Sequence, residues 1–154
     1  MVIHQVNNTC SEIPTMFNDN VSNHNPAPKS VLVIGLSQHL TGSPIEKAIK
    51  EDWAKEKAYG IANSFDNVGF NLDPKDVPGT LKALQHELQG RSWDGILLGW
   101  CIRGHVEFTL LFEEVHSVCC EAVKAAPQTK IMFSTGPDNL VETVVRNFPV
   151  GISV

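Results

Sequence analysis

Arg103, His105 and Glu107 stand at alternate positions in the stretch Cys101-Ile-Arg-Gly-His-Val-Glu107. A guanidinium is a permanent cation with a planar fork of donors. An imidazole titrates near neutrality, and a carboxylate can orient either group. Together such residues would hold a carboxylate, a phosphate or a developing enolate and move a proton within it. The plainer alternative is that Arg103 pairs with Glu107 or Asp73, while His105 and Glu107 decorate the start of a helix. Two further polar stretches could join them: Ser37-Gln38-His39, and Ser134-Thr135-Gly136 with Asp138 beyond it.

Other chemistries fit these residues less well. Gly35-Leu-Ser37-Gln-His39 partly matches a nucleophile elbow, but His39 stands where the second glycine belongs. The esterases with an early serine also need a late Asp-x-x-His, and no histidine follows His116. A phospho-acceptor site of the receiver type needs acidic residues after the first strand and an aspartate after the third. Ser37 and Gln38, then Cys101 and Arg103, occupy those places. No Gly-x-Gly-x-x-Gly follows a strand and no Walker sequence is present, so a phosphate cradle has no support. Glu113-x-x-His116 is half of a di-iron motif without its second half, and the expectation is no metal and no cofactor. Cys101 beside Arg103 and a helix start could carry a lowered thiol pKa, with a structural role as the plainer reading.

The elements that must position these residues alternate in type. Val31-Leu-Val-Ile-Gly-Leu36 is a continuous apolar run of the kind buried on both faces of a sheet. Gly42-Ser43-Pro44 then supplies a helix cap and a proline at the first helical position. From Ile45 the apolar residues recur at helical spacing through Ile49, Trp53, Ala58 and Ile61 to Phe65. Val68 to Leu72 reads as a second strand after an Asp66-Asn67 turn, and Val77 to Leu88 as a helix ended by Gly90. Asp94 to Trp100 is the third and most central strand. A long helix follows, with Phe108, Leu111, Phe112, Val115, Cys119 and Ala122 as its buried stripe. Lys130 to Ser134 is the fourth strand, and a last helix opens at Pro137-Asp138 and stops before Pro149.

Alternation of this kind predicts right-handed crossovers and a parallel sheet. The expected fold is an α/β three-layer sandwich with four parallel strands, a fifth at Val150–Val154 left open, in the flavodoxin-like order 2-1-3-4. In that order the winding reverses between strands 1 and 3, and the loops after them splay into a crevice. The three polar stretches lie at that end of the sheet. His105 and Glu107 are therefore the candidate catalytic residues, and Ser37, Gln38, Arg103 and Thr135 the candidate ligand-binding residues.

Composition narrows the setting. A net charge of −5 without any basic run argues against a nucleic-acid partner. The apolar stretches are too short to span a bilayer, and the N-terminus lacks the pattern of a secretion signal. Cys10, Cys101, Cys119 and Cys120 show no Cys-x-x-Cys spacing, which suits free thiols in a cytoplasmic protein. Residues 1–29, rich in Asn with scattered Pro, read as a disordered tail ahead of one domain over 30–154.

Two segments, Trp93 to Glu114 and Pro127 to Asp138, resemble a group of small uncharacterised fungal and bacterial proteins. The resemblance implies an α/β, flavodoxin- or receiver-like arrangement and leaves the activity open. The functional expectation is an anionic small molecule bound in the crevice, with proton-transfer chemistry of the isomerase or dehydratase type if the protein is an enzyme. The alternative is a non-catalytic, receiver-like interaction module. A homodimer is left open.

Overall fold

A computed structural model describes residues 25–150. The chain forms strand β1 (Lys29–Gly35), helices α1 (Ser37–Thr41) and α2 (Ile45–Trp53), strand β2 (Phe65–Asn71) and helix α3 (Val77–Gly90). Strand β3 (Gly95–Leu98), helices α4 (Trp100–Arg103) and α5 (Thr109–Ala125), strand β4 (Lys130–Phe133) and helix α6 (Leu140–Asn147) follow. The four strands make one parallel sheet in the order β2-β1-β3-β4. In register, Lys29 pairs with Phe65, Val31 with Gly95 and Gly95 with Lys130. The winding reverses between β1 and β3, as the sequence pattern predicts.

Side chains alternate across a strand, so one apolar run feeds two cores. Leu32, Ile34, Ile96 and Leu98 face one way and pack with Leu84, Leu88, Leu111, Val115 and Cys119 of α3 and α5. Val31, Val33, Leu97 and Met132 face the other way and meet Ile45, Ile49, Val144 and Phe148. All eight strand residues except Met132 are fully buried, and Met132 nearly so. This is the three-layer arrangement: helices α3 and α5, the sheet, then helices α2 and α6.

Several expected boundaries move. Strand β1 begins at Lys29, one residue inside the expected tail, because Lys29 pairs with Phe65. The helix expected to run from Ile45 to Phe65 ends at Trp53, and residues 54–64 form two 3₁₀ turns instead. Gly60 has φ +81°, a left-handed conformation that no continuing helix accommodates. Phe65, Asp66 and Asn67 are taken by β2, where they pair with Lys29, Ser30 and Val31 rather than forming a turn. Ser43 does not cap α2. The cap position is Pro44, and the first helical N–H, that of Ile45, is satisfied by Asn71 Oδ1 at 2.8 Å.

Strand β3 stops at Leu98, not Trp100, and α4 starts at once, so Cys101 and Arg103 lie on a helical turn rather than in an open loop. The last helix begins at Leu140, after Asp138. Of the segment left open as a fifth strand, residues 151–154 lie outside the described residues, as do residues 1–24 of the tail. No helix among the described residues is long and apolar enough to cross a membrane.

Candidate functional site

A cavity of about 190 Å³ opens where the winding reverses, over the C-terminal ends of β1, β3 and β4. Strand ends supply Gly35, Gly99 and Ser134, and the turns after them Ser37, Trp100 and Cys101. Ile45 and Ala48 of α2, with Pro137 and Leu140 near the start of α6, close the side away from α5. Gly35 is needed for this closure, since a Cβ there would lie 2.6 Å from Ile45 Cδ1. None of the lining residues is charged. A recess of about 560 Å³ at the opposite end of the sheet, around Lys29, Phe65 and Phe148, is larger but far from the polar strand ends.

Of the six candidate site residues, Ser37 alone lines the cavity. Its Oγ is buried and has no hydrogen-bond partner among the described residues. A buried hydroxyl left unpaired costs free energy that a bound acceptor or donor would recover. Gln38 is exposed and turns away, donating its amide to Gly42 O at 3.3 Å. Thr135 serves the loop after β4: Asn139 Oδ1 accepts from the N–H groups of Thr135 and Gly136 at 3.2 and 3.3 Å, and Asn139 Nδ2 donates to Thr135 Oγ1.

Arg103 stands just behind two cavity walls. Its Nη2 donates to Ser134 O at 2.6 Å, and its Cζ lies 5.4 Å from the Trp100 ring and 5.7 Å from the Phe133 ring. Neither expected carboxylate partner, Glu107 or Asp73, pairs with it, and no ion pair to Arg103 occurs among the described residues. The cation is held by a carbonyl and by aromatic faces, which leaves its charge without a counter-ion.

His105 and Glu107 occupy the turn between α4 and α5, outside the cavity. His105 Nδ1 is 3.7 Å from Glu107 Oε1, too long for the hydrogen bond that would orient an imidazole. Its ring instead stands edge-on to Phe108, whose other neighbour is His39 of α1.

Neither Cys101 nor Cys119 suits nucleophilic work. Burial pushes the Cys101 thiol above its ordinary pKa, opposite to the lowering that a site beside Arg103 and a helix start would suggest. Burial raises Cys119 further, to about 12, with the neighbouring Cys120 adding to the shift. Cys120 touches its own helix's His116, with Sγ 3.7 Å from Nε2 and 3.8 Å from Nδ1. No group of three or more His, Cys, Asp or Glu side chains that could hold a metal ion occurs among the described residues.

Below the cavity, a charge cluster ties α2 to α6. Asp52 is buried at the end of α2 and accepts from the N–H of Val141, at the start of α6, at 3.0 Å. Lys55 and Lys57 reach the same carboxylate at 2.8 and 2.9 Å, and Lys57 also pairs with Glu142 at 2.8 Å. Burial pushes the Asp52 carboxyl up, but the bonds from Lys55, Val141 and Lys57 outweigh it and hold the pKa below the ordinary carboxylate value.

Sequence reasoning missed the walls from α2 and α6, because apolar residues there read as ordinary core. It also missed Asn139, although an asparagine just before a helix is a recognisable loop-closing signal. Compared with protein-family models, with curated proteins and with solved structures, the chain matches none.

Proposed function

We propose that this protein binds a small anionic molecule in the crevice between β1 and β3, its apolar body in the cavity and its anionic group against Arg103. One observation carries the reading: Trp100 and Ser134, which wall the cavity, are also the residues that hold the Arg103 guanidinium, which has no counter-ion among the described residues. A volume of about 190 Å³ is below the range for drug-sized ligands. It suits a body the size of one ring. Apolar walls with a few convergent polar groups are the usual make-up of such sites, and the unpaired Ser37 hydroxyl supplies one. Charge-assisted bonds from the remaining guanidinium donors would set the preference for an anion.

The reading is of binding. His105 and Glu107 stand outside the cavity and are assigned no step in it. A cytoplasmic setting belongs to the same reading, supported by Cys101, Cys119 and Cys120 being free thiols.

Benzoate and its neutral counterpart benzamide are suitable probes, followed by amide chemical shifts in the labelled full chain. Benzoate is expected to move the Gly35, Gly99 and Gly136 signals, and to bind more tightly than benzamide. Ala48→Leu, which fills the cavity from α2, should abolish the shifts. Shifts confined to other parts of the molecule, or none with either probe, would refute the crevice site. Equal affinity for both probes would refute the anionic preference alone.

A further inference from the structure

Helix α5 buries one apolar stripe, while two apolar residues at and just before its first turn stay exposed. Leu111, Val115 and Cys119 face the core, with Phe108 and Phe112 packed beside them. Val106, in the turn before α5, and Leu110, one turn later, are 87% and 75% exposed. The turn is pinned, since Thr109 Oγ1 donates to Val106 O at 2.8 Å. Glu107, Glu113 and Glu114 fall on the same outward side at helical spacing, and all three are exposed. Glu113 and Glu114 join no ion pair among the described residues, and Glu107 only approaches His105. Helix α1 touches the start of this segment, with the His39 ring 5.9 Å from Phe108, and its Leu40 is 38% exposed.

Carboxylates near a helix start are favourable by themselves, which accounts for Glu107. Glu113 and Glu114 lie beyond the first turn of α5, and the helix dipole gives no reason for Val106 and Leu110. We infer that this face docks a cationic amphipathic helix, whose apolar side covers Val106 and Leu110 and whose lysines or arginines meet Glu107, Glu113 and Glu114. Charge complementarity selects this occupant. A second copy placed by a two-fold axis would bring the same carboxylates against each other. A wholly apolar partner would desolvate them without compensation. Phosphate-bearing surfaces, nucleic acid or anionic lipid, meet the wrong sign of charge. The inference is independent of the crevice site, because none of these residues lines the cavity.

The probe is a synthetic helical peptide of roughly 18 residues, about five turns, with leucines on one face and lysines beside them. Binding to the full chain is read by fluorescence anisotropy at low and at high salt. The expected result is saturable binding that weakens with salt and does not occur with a leucine-free peptide of equal charge. Leu110→Ser should weaken it about tenfold, the loss expected for one buried leucine contact. Glu113→Lys combined with Glu114→Lys should weaken it at least as much. Glu51→Lys, a charge reversal on the exposed side of α2, should leave it within about twofold, a difference too small to reflect a lost contact. Absence of binding, insensitivity to Leu110→Ser, or an equal loss with Glu51→Lys would overturn the inference. Concentration-dependent dimerisation that Leu110→Ser abolishes would overturn it too, in favour of a second copy.

Discussion

Arg103 is the residue on which the crevice reading turns, and its surroundings fix what a substitution should do. The guanidinium is planar, so it can donate to Ser134 O while lying near the Trp100 and Phe133 rings. An ammonium at that place keeps the charge and loses the planar fork. Arg103→Lys is therefore expected to weaken benzoate binding about tenfold, one bidentate-type contact, while leaving the fold intact. Isothermal titration checks the affinity, and a melting curve within a few degrees of the parent checks the fold. Unchanged affinity would place the anion away from Arg103. Ser37→Ala removes a hydroxyl that has no partner among the described residues, so its melting temperature should hold or rise slightly while benzoate binding falls. Apolar runs mark the strand ends, so the placement of Ser37 at the cavity and of Arg103 beside its wall is legible in the sequence. Gln38, Thr135, His105 and Glu107 stand near the same strand ends, yet their side chains turn elsewhere. Which way a side chain points within a turn depends on partners such as Gly42 O and Asn139, which spacing does not reveal.

At the scale of elements, the least legible stretch lies between α2 and β2. Ala58, Ile61 and Phe65 continue a helical period on paper, but the backbone leaves the helix at Lys55, where ψ is 156°, and Gly60 and the pairing of Phe65 with Lys29 keep it from resuming. The same stretch carries Lys55 and Lys57 back to Asp52, which in turn holds the first turn of α6. Removing that carboxylate leaves the Val141 N–H buried and unpaired. Asp52→Ala is expected to cost about 1–3 kcal/mol in denaturant unfolding. The larger losses of fully buried pairs do not apply, because the Lys55 side chain is 49% exposed and regains water. The pH dependence has a definite sign. Asp52 has a depressed folded pKa, so its contribution is complete above the unfolded value, about 4, and is lost as pH falls toward the folded one. In Lys57 burial lowers the pKa, but Glu142 and Asp52 raise it more, so that contribution holds below the ordinary lysine value and is lost as pH rises through the folded one. Unfolding free energies measured across pH should therefore fall less steeply on the acid side in Asp52→Asn than in the parent. An identical acid limb in both would show that other carboxylates govern it.

Over the whole molecule, the sheet order and the two cores were the most legible features, because strand–helix alternation and uninterrupted apolar runs leave few other topologies. The central strand makes that organisation measurable. Ile96 and Leu98 sit in the core formed with α3 and α5, whereas Leu97 sits in the core formed with α2 and α6. All three are fully buried, so each truncation to alanine should cost about 2–5 kcal/mol. The couplings should differ. Ile96 and Leu98 share one core, so the cavities left by Ile96→Ala and Leu98→Ala can relax together, and the pair should depart from additivity by about 0.5 kcal/mol or more. Leu97 and Leu98 are neighbours in the chain but face opposite sides of the sheet. Their double variant should be additive to within about 0.3–0.5 kcal/mol. Urea unfolding of the three single and two double variants gives both cycles. A Leu97–Leu98 coupling larger than that of Ile96 with Leu98 would mean that strain crosses the sheet through the β3 backbone, and the two cores would then have to be treated as one.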